Sequence, residues 1–462
     1  GKNLVVEKIY RHSVTDKKSL CNNNIRSMCL DQNNQLWIGT FIGLSILDIE
    51  SATFLNVFSN FGRPFSLAQN SIRSISGDRQ GGMWLGTYYG GISFYHPDNV
   101  LFDLLNQNGG DLSLSDNVVS CLVEDGRGDI WIGTNDSGVN LWDRKNKRIK
   151  VIRSDEKDKN SLSSNNIKSI VITPKGKLLI GTHDAGLNYY DPATGTNRVF
   201  KNNDHSGGLS GNNIYAMLRD HTGKLWIGTW NGLDLFDENT QTIRPFLING
   251  QKMTLTSDHI QFLFEDSRFR IWIGTNNGLN ILNPVTQTLE TFRGESDDDT
   301  TGLSNNNISC ITEDSKGRIW IGTRKGFNLF DELTRNFVQI TTSDGLSNNM
   351  VYGILEDDLG FLWISTNDGL SKYDPATKNF RNYGLATGLQ SKQFNYYSFC
   401  KTSDGILMFG GIKGINLINP RKTIEPEIKP KIVITEFMLF NNSVAPDENG
   451  GILKNAISLT KE

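Results

Sequence analysis

The chain has 462 residues, with 46 glycines, 11 prolines, 21% charged residues and a formal net charge of −3. That near-neutral balance lacks the basic excess that nucleic-acid binding domains show. No stretch approaches the 18 consecutive apolar residues of a membrane-spanning helix, and the opening Gly1-Lys2-Asn3-Leu4 does not read as a secretory signal.

In chain order the dominant feature is a recurring strand built on tryptophan. It begins with Leu36-Trp37-Ile38-Gly39-Thr40, Met83-Trp84-Leu85-Gly86-Thr87 and Ile130-Trp131-Ile132-Gly133-Thr134. Leu178–Thr182, Leu225–Thr229, Ile271–Thr275, Ile319–Thr323 and Leu362–Thr366 follow, and Leu407-Met408-Phe409-Gly410-Gly411 is a degenerate ninth copy. Successive copies lie roughly 43 to 48 residues apart, a period that points to a propeller or solenoid.

Each unit holds about four strands. In the seventh, Ile308–Thr312 alternates, Glu313-Asp314-Ser315-Lys316-Gly317 turns, and Ile319–Thr323 is the tryptophan strand. Arg324-Lys325-Gly326 links it to a third strand, Phe327–Phe330, and Asn336–Ile340 is the fourth. No segment has a 3.6-residue apolar period, so helices are expected to be few. The fold class is therefore all-β, a propeller of four-stranded antiparallel blades whose radial closure protects the sheet edges. The recurring tryptophans are read as blade core, and the glycine two residues later as relief of crowding or a bulge. The five cysteines include no C-x-x-C pair; Cys121 and Cys310 occupy the same strand position and are read as free, buried thiols.

The unit Asn-Asn-Ile-x-x-Ile-x-Glu-Asp-x-x-Gly-x-Ile-Trp-Ile-Gly-Thr-x-x-Gly-Leu-x-x-Phe-Asp resembles the two-component-regulator propeller repeat. Asn306–Asp331 and Asn212–Asp237 carry it best, and the resemblance covers residues 20–420. Pro430–Phe437 and Leu439–Asn442 look like the opening of the β-sandwich that follows the last propeller in the periplasmic sensors of hybrid two-component systems. The resemblance implies two seven-bladed propellers, that sandwich, a membrane helix, a histidine kinase and a response regulator. Counting seven blades back from Met408 reaches Trp131. The expected division is residues 1–98, the last two blades of an upstream and incomplete propeller; 99–425, a seven-bladed propeller; and 426–462, linker and first sandwich strands. Residues 1–98 have three ways to protect their edges: docking on the complete ring, pairing with another copy, or joining an enlarged ring.

Propeller strands alternate in direction, so the loop before the first strand and the hairpin after Gly-Thr share one face, while the Glu-Asp-x-x-Gly turns lie on the other. The turns recur and are read as scaffold. The hairpin tips do not recur, and they carry residue types suited to sugars: aromatic faces for C–H surfaces, amides and cations for hydroxyls and carboxylates. The candidate ligand-binding residues are Trp230, Arg324, Lys325 and His183, assisted by Asn231, Asn276 and Asn135. Tyr396, with Asn395 and Tyr397, belongs to a second tier near the last blade, and Arg324, Lys325 and Lys413 favour an acidic glycan.

The expected ligand is an oligosaccharide and the expected role a periplasmic sensor module controlling polysaccharide use, homodimeric when full length. No nucleic acid, membrane contact, cofactor, metal or catalytic residue is expected; the six histidines are scattered with no H-E-x-x-H. Two alternatives stay open: a propeller glycoside hydrolase or lyase, and a protein-binding scaffold.

Overall fold

A computed structural model describes residues 8–16, 18–59, 66–79, 81–96, 102–108, 112–202, 208–294, 301–421, 438–439 and 442–443. It divides into two units, residues 1–423 and 424–462. The second contributes two short paired strands, Met438–Leu439 and Asn442–Ser443. The rest of the expected sandwich opening lies outside the described residues.

The first unit is a succession of antiparallel sheets. Blade A runs from Ile25–Leu30 to Thr53–Val57 and has four strands; blade B spans Ile72–Gly77, Met83–Thr87 and Ile92–Tyr95 and has three. A closed ring follows. Its blades 1 to 6 begin at Val119–Glu124, Ile167–Ile172, Ile214–Arg219, Ile260–Glu265, Ile308–Glu313 and Val351–Glu356. Blade 7 begins at Phe394–Lys401 and takes its fourth strand from ahead of the ring: Asp103–Leu105 pairs with Gly414–Ile418 through Ile415↔Leu105, Asn416↔Leu104 and Leu417↔Asp103. The first strands contact one another in order, and the seventh contacts the first. The ring closes with these seven blades, so blades A and B stand outside it and no enlarged ring forms.

The repeat explains the packing. The Asp of each Glu-Asp turn accepts two backbone N–H bonds within the turn and the indole N–H of the tryptophan six residues on. Asp314 Oδ1 takes the N–H of Lys316 and Arg318, each at 3.0 Å, and Oδ2 takes Trp320 Nε1 at 2.8 Å. The same pairing joins Asp31 to Trp37, Asp78 to Trp84, Asp125 to Trp131, Asp220 to Trp226, Asp266 to Trp272 and Asp357 to Trp363. Where the tryptophan is replaced, by Leu179 and by Met408, the turn carries Thr173 and Thr402 instead. The aspartate therefore accompanies the buried donor it satisfies.

The turn's glutamate joins blades. Glu265 accepts the backbone N–H of His221 at 2.7 Å, Glu313 that of Ser267 at 2.6 Å and Glu356 that of Ser315 at 2.7 Å. Glu124 of blade 1 takes Ser403 of blade 7 at 2.6 Å and so clamps the closing seam. The glycine of the tryptophan strand is set by the next blade. A Cβ on Gly228 would lie 2.5 Å from Ile260 Cγ2, and one on Gly274 2.6 Å from Ile308 Cγ2.

In the ring Trp131, Trp226, Trp272, Trp320 and Trp363 are buried, and Trp37 of blade A is covered by blade B. Trp84 departs from the expected core role: it is 45% exposed, because among the described residues no following blade covers that face. Cys121 and Cys310 are free and buried, and burial pushes both thiols up to about 12.

Candidate functional site

The first strand of each unit contains a bulge. In blade 3 Ile214 pairs with Thr229 and Ala216 with Gly228, leaving Tyr215 as the extra residue. The equivalent residues are Arg26, Arg73, Ser120, Lys168, Gln261, Ser309 and Tyr352. A bulge re-aims one side chain out of the strand's alternation. Here several of the re-aimed side chains meet the hairpin tips after Gly-Thr.

Those meetings build an arc across blades 1 to 4. Lys168 Nζ donates to Asn135 Oδ1 at 2.8 Å and lies 5.7 Å above the Tyr215 ring. The Tyr215 hydroxyl and His183 Nδ1 are 2.7 Å apart. Trp230 stacks on Tyr215 at 5.4 Å with an interplanar angle of 19°, and its indole is 4.4 Å from His259. His259 Nδ1 is 3.2 Å from Asn276 Nδ2. Burial lowers the pKa values of Lys168 and His259, and it pushes the Tyr215 phenol up to about 12. The arc therefore sets imidazole and phenol groups beside one partly desolvated ammonium.

A second arc runs through blades 5 to 7. In blade 7 the bulge is enlarged: Phe394 pairs with Gly411 and Phe399 with Phe409, so Asn395–Ser398 all oppose Gly410. Asn395 Nδ2 donates to the carbonyl of Val119 in blade 1 at 2.9 Å. Tyr396 packs edge-on to Tyr352 at 4.7 Å, and the Tyr352 hydroxyl donates to Asn367 Oδ1 at 3.1 Å. Tyr397 adopts φ 60° and crosses the ring, reaching Tyr215 at 6.0 Å and Phe262 of blade 4 at 6.2 Å. Phe262 also stacks with Phe399 at 6.0 Å. The two arcs meet at this aromatic plug. Burial raises the Tyr397 pKa well above the usual phenol range, opposed in part by the Arg324 charge.

The eight candidates from the sequence are thus divided. Asn135, His183, Trp230 and Asn276 join the first arc, Tyr396 joins the second, and Arg324 lies close enough to act on Tyr352 and Tyr397. Lys325 and Asn231 are exposed at their hairpin tips, where their backbone N–H groups bond Thr323 and Thr229. Trp230 is half-buried between Tyr215 and His259, so it offers a rim rather than an open face. Sequence reading missed Lys168, Tyr215, His259, Tyr352 and Phe262. Four of these lie on first strands, and for Lys168 and Tyr215 the available signal was the residue after Asn-Asn-Ile, which varies from unit to unit while its neighbours recur. Among the described residues no His, Cys, Asp and Glu group could hold a metal ion.

Six of the units, residues 19–41, 66–89, 113–136, 208–231, 302–325 and 345–368, match the family model described as two component regulator propeller. The chain carries two-component regulator propeller repeats. It is similar to the extracellular domain of the putative hybrid two component system BT3049 from B. thetaiotaomicron, at 25% identity and a TM-score of 0.74, over 95% of this chain and 58% of that one. The chain thus spans a little over half of that structure. The extracellular domain of BT4673 from the same organism matches at 24% identity and a TM-score of 0.57, over 93% of this chain and 56% of that one. Virginiamycin B lyase from Staphylococcus aureus, at 13% identity and a TM-score of 0.51, covers 68% of this chain and 98% of its own, and shares the fold. No curated protein sequence matches. No helix among the described residues is long and apolar enough to cross a membrane.

Proposed function

We propose that this chain is the ligand-binding region of a periplasmic two-component sensor, and that the ring binds an oligosaccharide where the bulge residues meet the hairpin tips. The observation that carries this reading is the continuous chain of ring contacts and hydrogen bonds from Asn135 to Asn276. It is assembled at positions whose residues vary between blades, while the Asp, Glu, Trp and Gly that recur in most blades are occupied in scaffold. Its aromatic rims, amides and imidazoles suit sugar C–H faces and hydroxyls. Arg324 adds a cation for a carboxylate or a polarised hydroxyl.

Similarity to an extracellular domain of a hybrid two-component system supports the sensing role. In such a role the ligand must prefer one arrangement of the protein over another, since equal affinity for both shifts nothing. A ligand touching both arcs makes such a preference available, because Tyr397 couples blade 7 to blades 3 and 4 across the ring. The full-length protein would use that preference, as a homodimer, to control genes for polysaccharide use.

A glycan array followed by titration calorimetry tests the proposal. Trp230→Ala and Arg324→Ala should each weaken binding of the glycan found by about tenfold or more, a loss of about 1.4 kcal/mol. Unchanged affinity in both variants would remove this face from consideration. Conversion of the glycan to product would replace the sensor reading with an enzymatic one.

A further inference from the structure

Blades A and B carry arginine at the bulge position, Arg26 and Arg73. Their first strands lie side by side. The Arg26 guanidinium sits 4.8 Å above the Phe41 ring and donates to Ser71 Oγ at 3.2 Å; that of Arg73 sits 4.6 Å above Tyr88. Tyr89 packs edge-on to Tyr88 at 4.1 Å. Phe41, Tyr88 and Tyr89 are 49%, 45% and 80% exposed.

Three observations set this cluster apart. Phe41 and Tyr88 occupy the hairpin position that holds His183 and Trp230 in the ring, and Tyr89 the one after it, so bulge and tip meet here as they do there. Three ring arginines that also lie over or beside blade sheets are neutralised: Arg144 pairs with Asp404, Arg270 with Asp266 and Arg318 with Asp314. Among the described residues neither Arg26 nor Arg73 has a carboxylate within ion-pair distance. Finally, both guanidinium groups act on one phenol. The Tyr88 pKa is lowered by the hydrogen bond with Tyr89, then by the bond and charge of Arg73, then by the charge of Arg26.

We propose that Arg26, Arg73, Tyr88 and Tyr89 form a second site, which takes an anionic saccharide. The guanidinium groups hold a carboxylate or sulfate, and the exposed Tyr89 ring packs on the sugar face. This site shares its architecture with the ring's site and differs in charge, so it stands or falls separately.

The test is calorimetry on the 462-residue chain with three probes: tetragalacturonate, a sulfated carrageenan tetrasaccharide and neutral galactotetraose. Parent, Arg26→Gln/Arg73→Gln, Tyr89→Ser and Trp230→Ala proteins are compared. At least one charged probe should bind the parent, and the arm that binds identifies the anion. Its affinity should fall at least tenfold in the double variant and in Tyr89→Ser, and weaken as salt is raised. Binding of neither charged probe overturns the proposal, as does equal binding of the neutral one. Retention in the double variant overturns it too. Loss confined to Trp230→Ala moves the anion to the ring, overturning this site while leaving the ring's intact.

Discussion

The aspartate–tryptophan pair predicts a double-mutant cycle in which two damaging substitutions partly cancel. Trp226 is 0% and Asp220 5% exposed, and the indole N–H donates to Asp220 Oδ2 at 2.9 Å. Trp226→Leu leaves the carboxylate oxygen without its donor, and Asp220→Thr leaves the indole N–H without its acceptor. Each stranded group costs about 1–3 kcal/mol beyond the change in packing. Together the substitutions reproduce the arrangement blade 2 already uses, where Thr173 Oγ1 takes the Lys177 N–H at 3.1 Å and Leu179 fills the core. Urea denaturation of parent, both singles and the double should therefore give a double variant more stable than the summed singles by about 1.5–3 kcal/mol, the worth of a hydrogen bond to a charged group. Additivity within about 0.5 kcal/mol would refute the reasoning.

Four further outcomes follow from described contacts. Burial works to raise the Asp220 pKa, but bonds from Thr222, Trp226 and the Lys224 and Thr222 amides outweigh it and leave it below 3.8. Its contribution is thus present above the unfolded-state pKa and lost as pH falls through the folded one, so the Asp220→Thr defect measured at pH 7 should shrink in melts below about pH 3.8. Glu124→Ala removes the acceptor of Ser403 N–H and Oγ at the closing seam; urea unfolding should show a loss of about 1–3 kcal/mol. Alkylation at pH 8 read by mass spectrometry should leave Cys121 and Cys310 unmodified until the protein is unfolded, because both are buried with pKa values about 12. Phe399→Ala opens the aromatic plug beside Phe262 and should lower stability in the same assay, by less than the roughly 3–5 kcal/mol of a fully buried phenylalanine because Phe399 is half-buried.

Much of this architecture was legible in the sequence because it recurs. The Trp-Ile-Gly-Thr strand identifies a blade wherever it appears, and Gly-Thr locates the hairpin tip beside it, which is how Trp230, His183 and Asn276 were found. Exposure of Trp84 was not legible, since a residue's burial in a propeller is decided by the neighbouring blade and not by its own. Tyr215 and Lys168 were hidden for another reason. A bulge residue looks like one more member of an alternating strand until pairing to the second strand shows it to be extra. The Tyr397–Phe262 contact depends on ring closure, which joins residues distant in the chain by geometry alone. Asp220 and Trp226, by contrast, announced their partnership only in the blades where both are missing.

The strand that Asp103–Leu105 lends to the last blade has a consequence for biosynthesis. Its partner, Gly414–Ile418, is made some three hundred residues later. At about 5–20 residues per second, the lent strand waits roughly 15–60 s on the growing chain before its seat exists. Throughout that interval the blades already made can pack on their predecessors but cannot end the series, and the leading edge at Val119–Glu124 stays uncovered. A cell making this protein must therefore shelter an unfinished circle, and a chain cut just short of residue 414 would hold every other described strand of the ring yet have no closed form to reach.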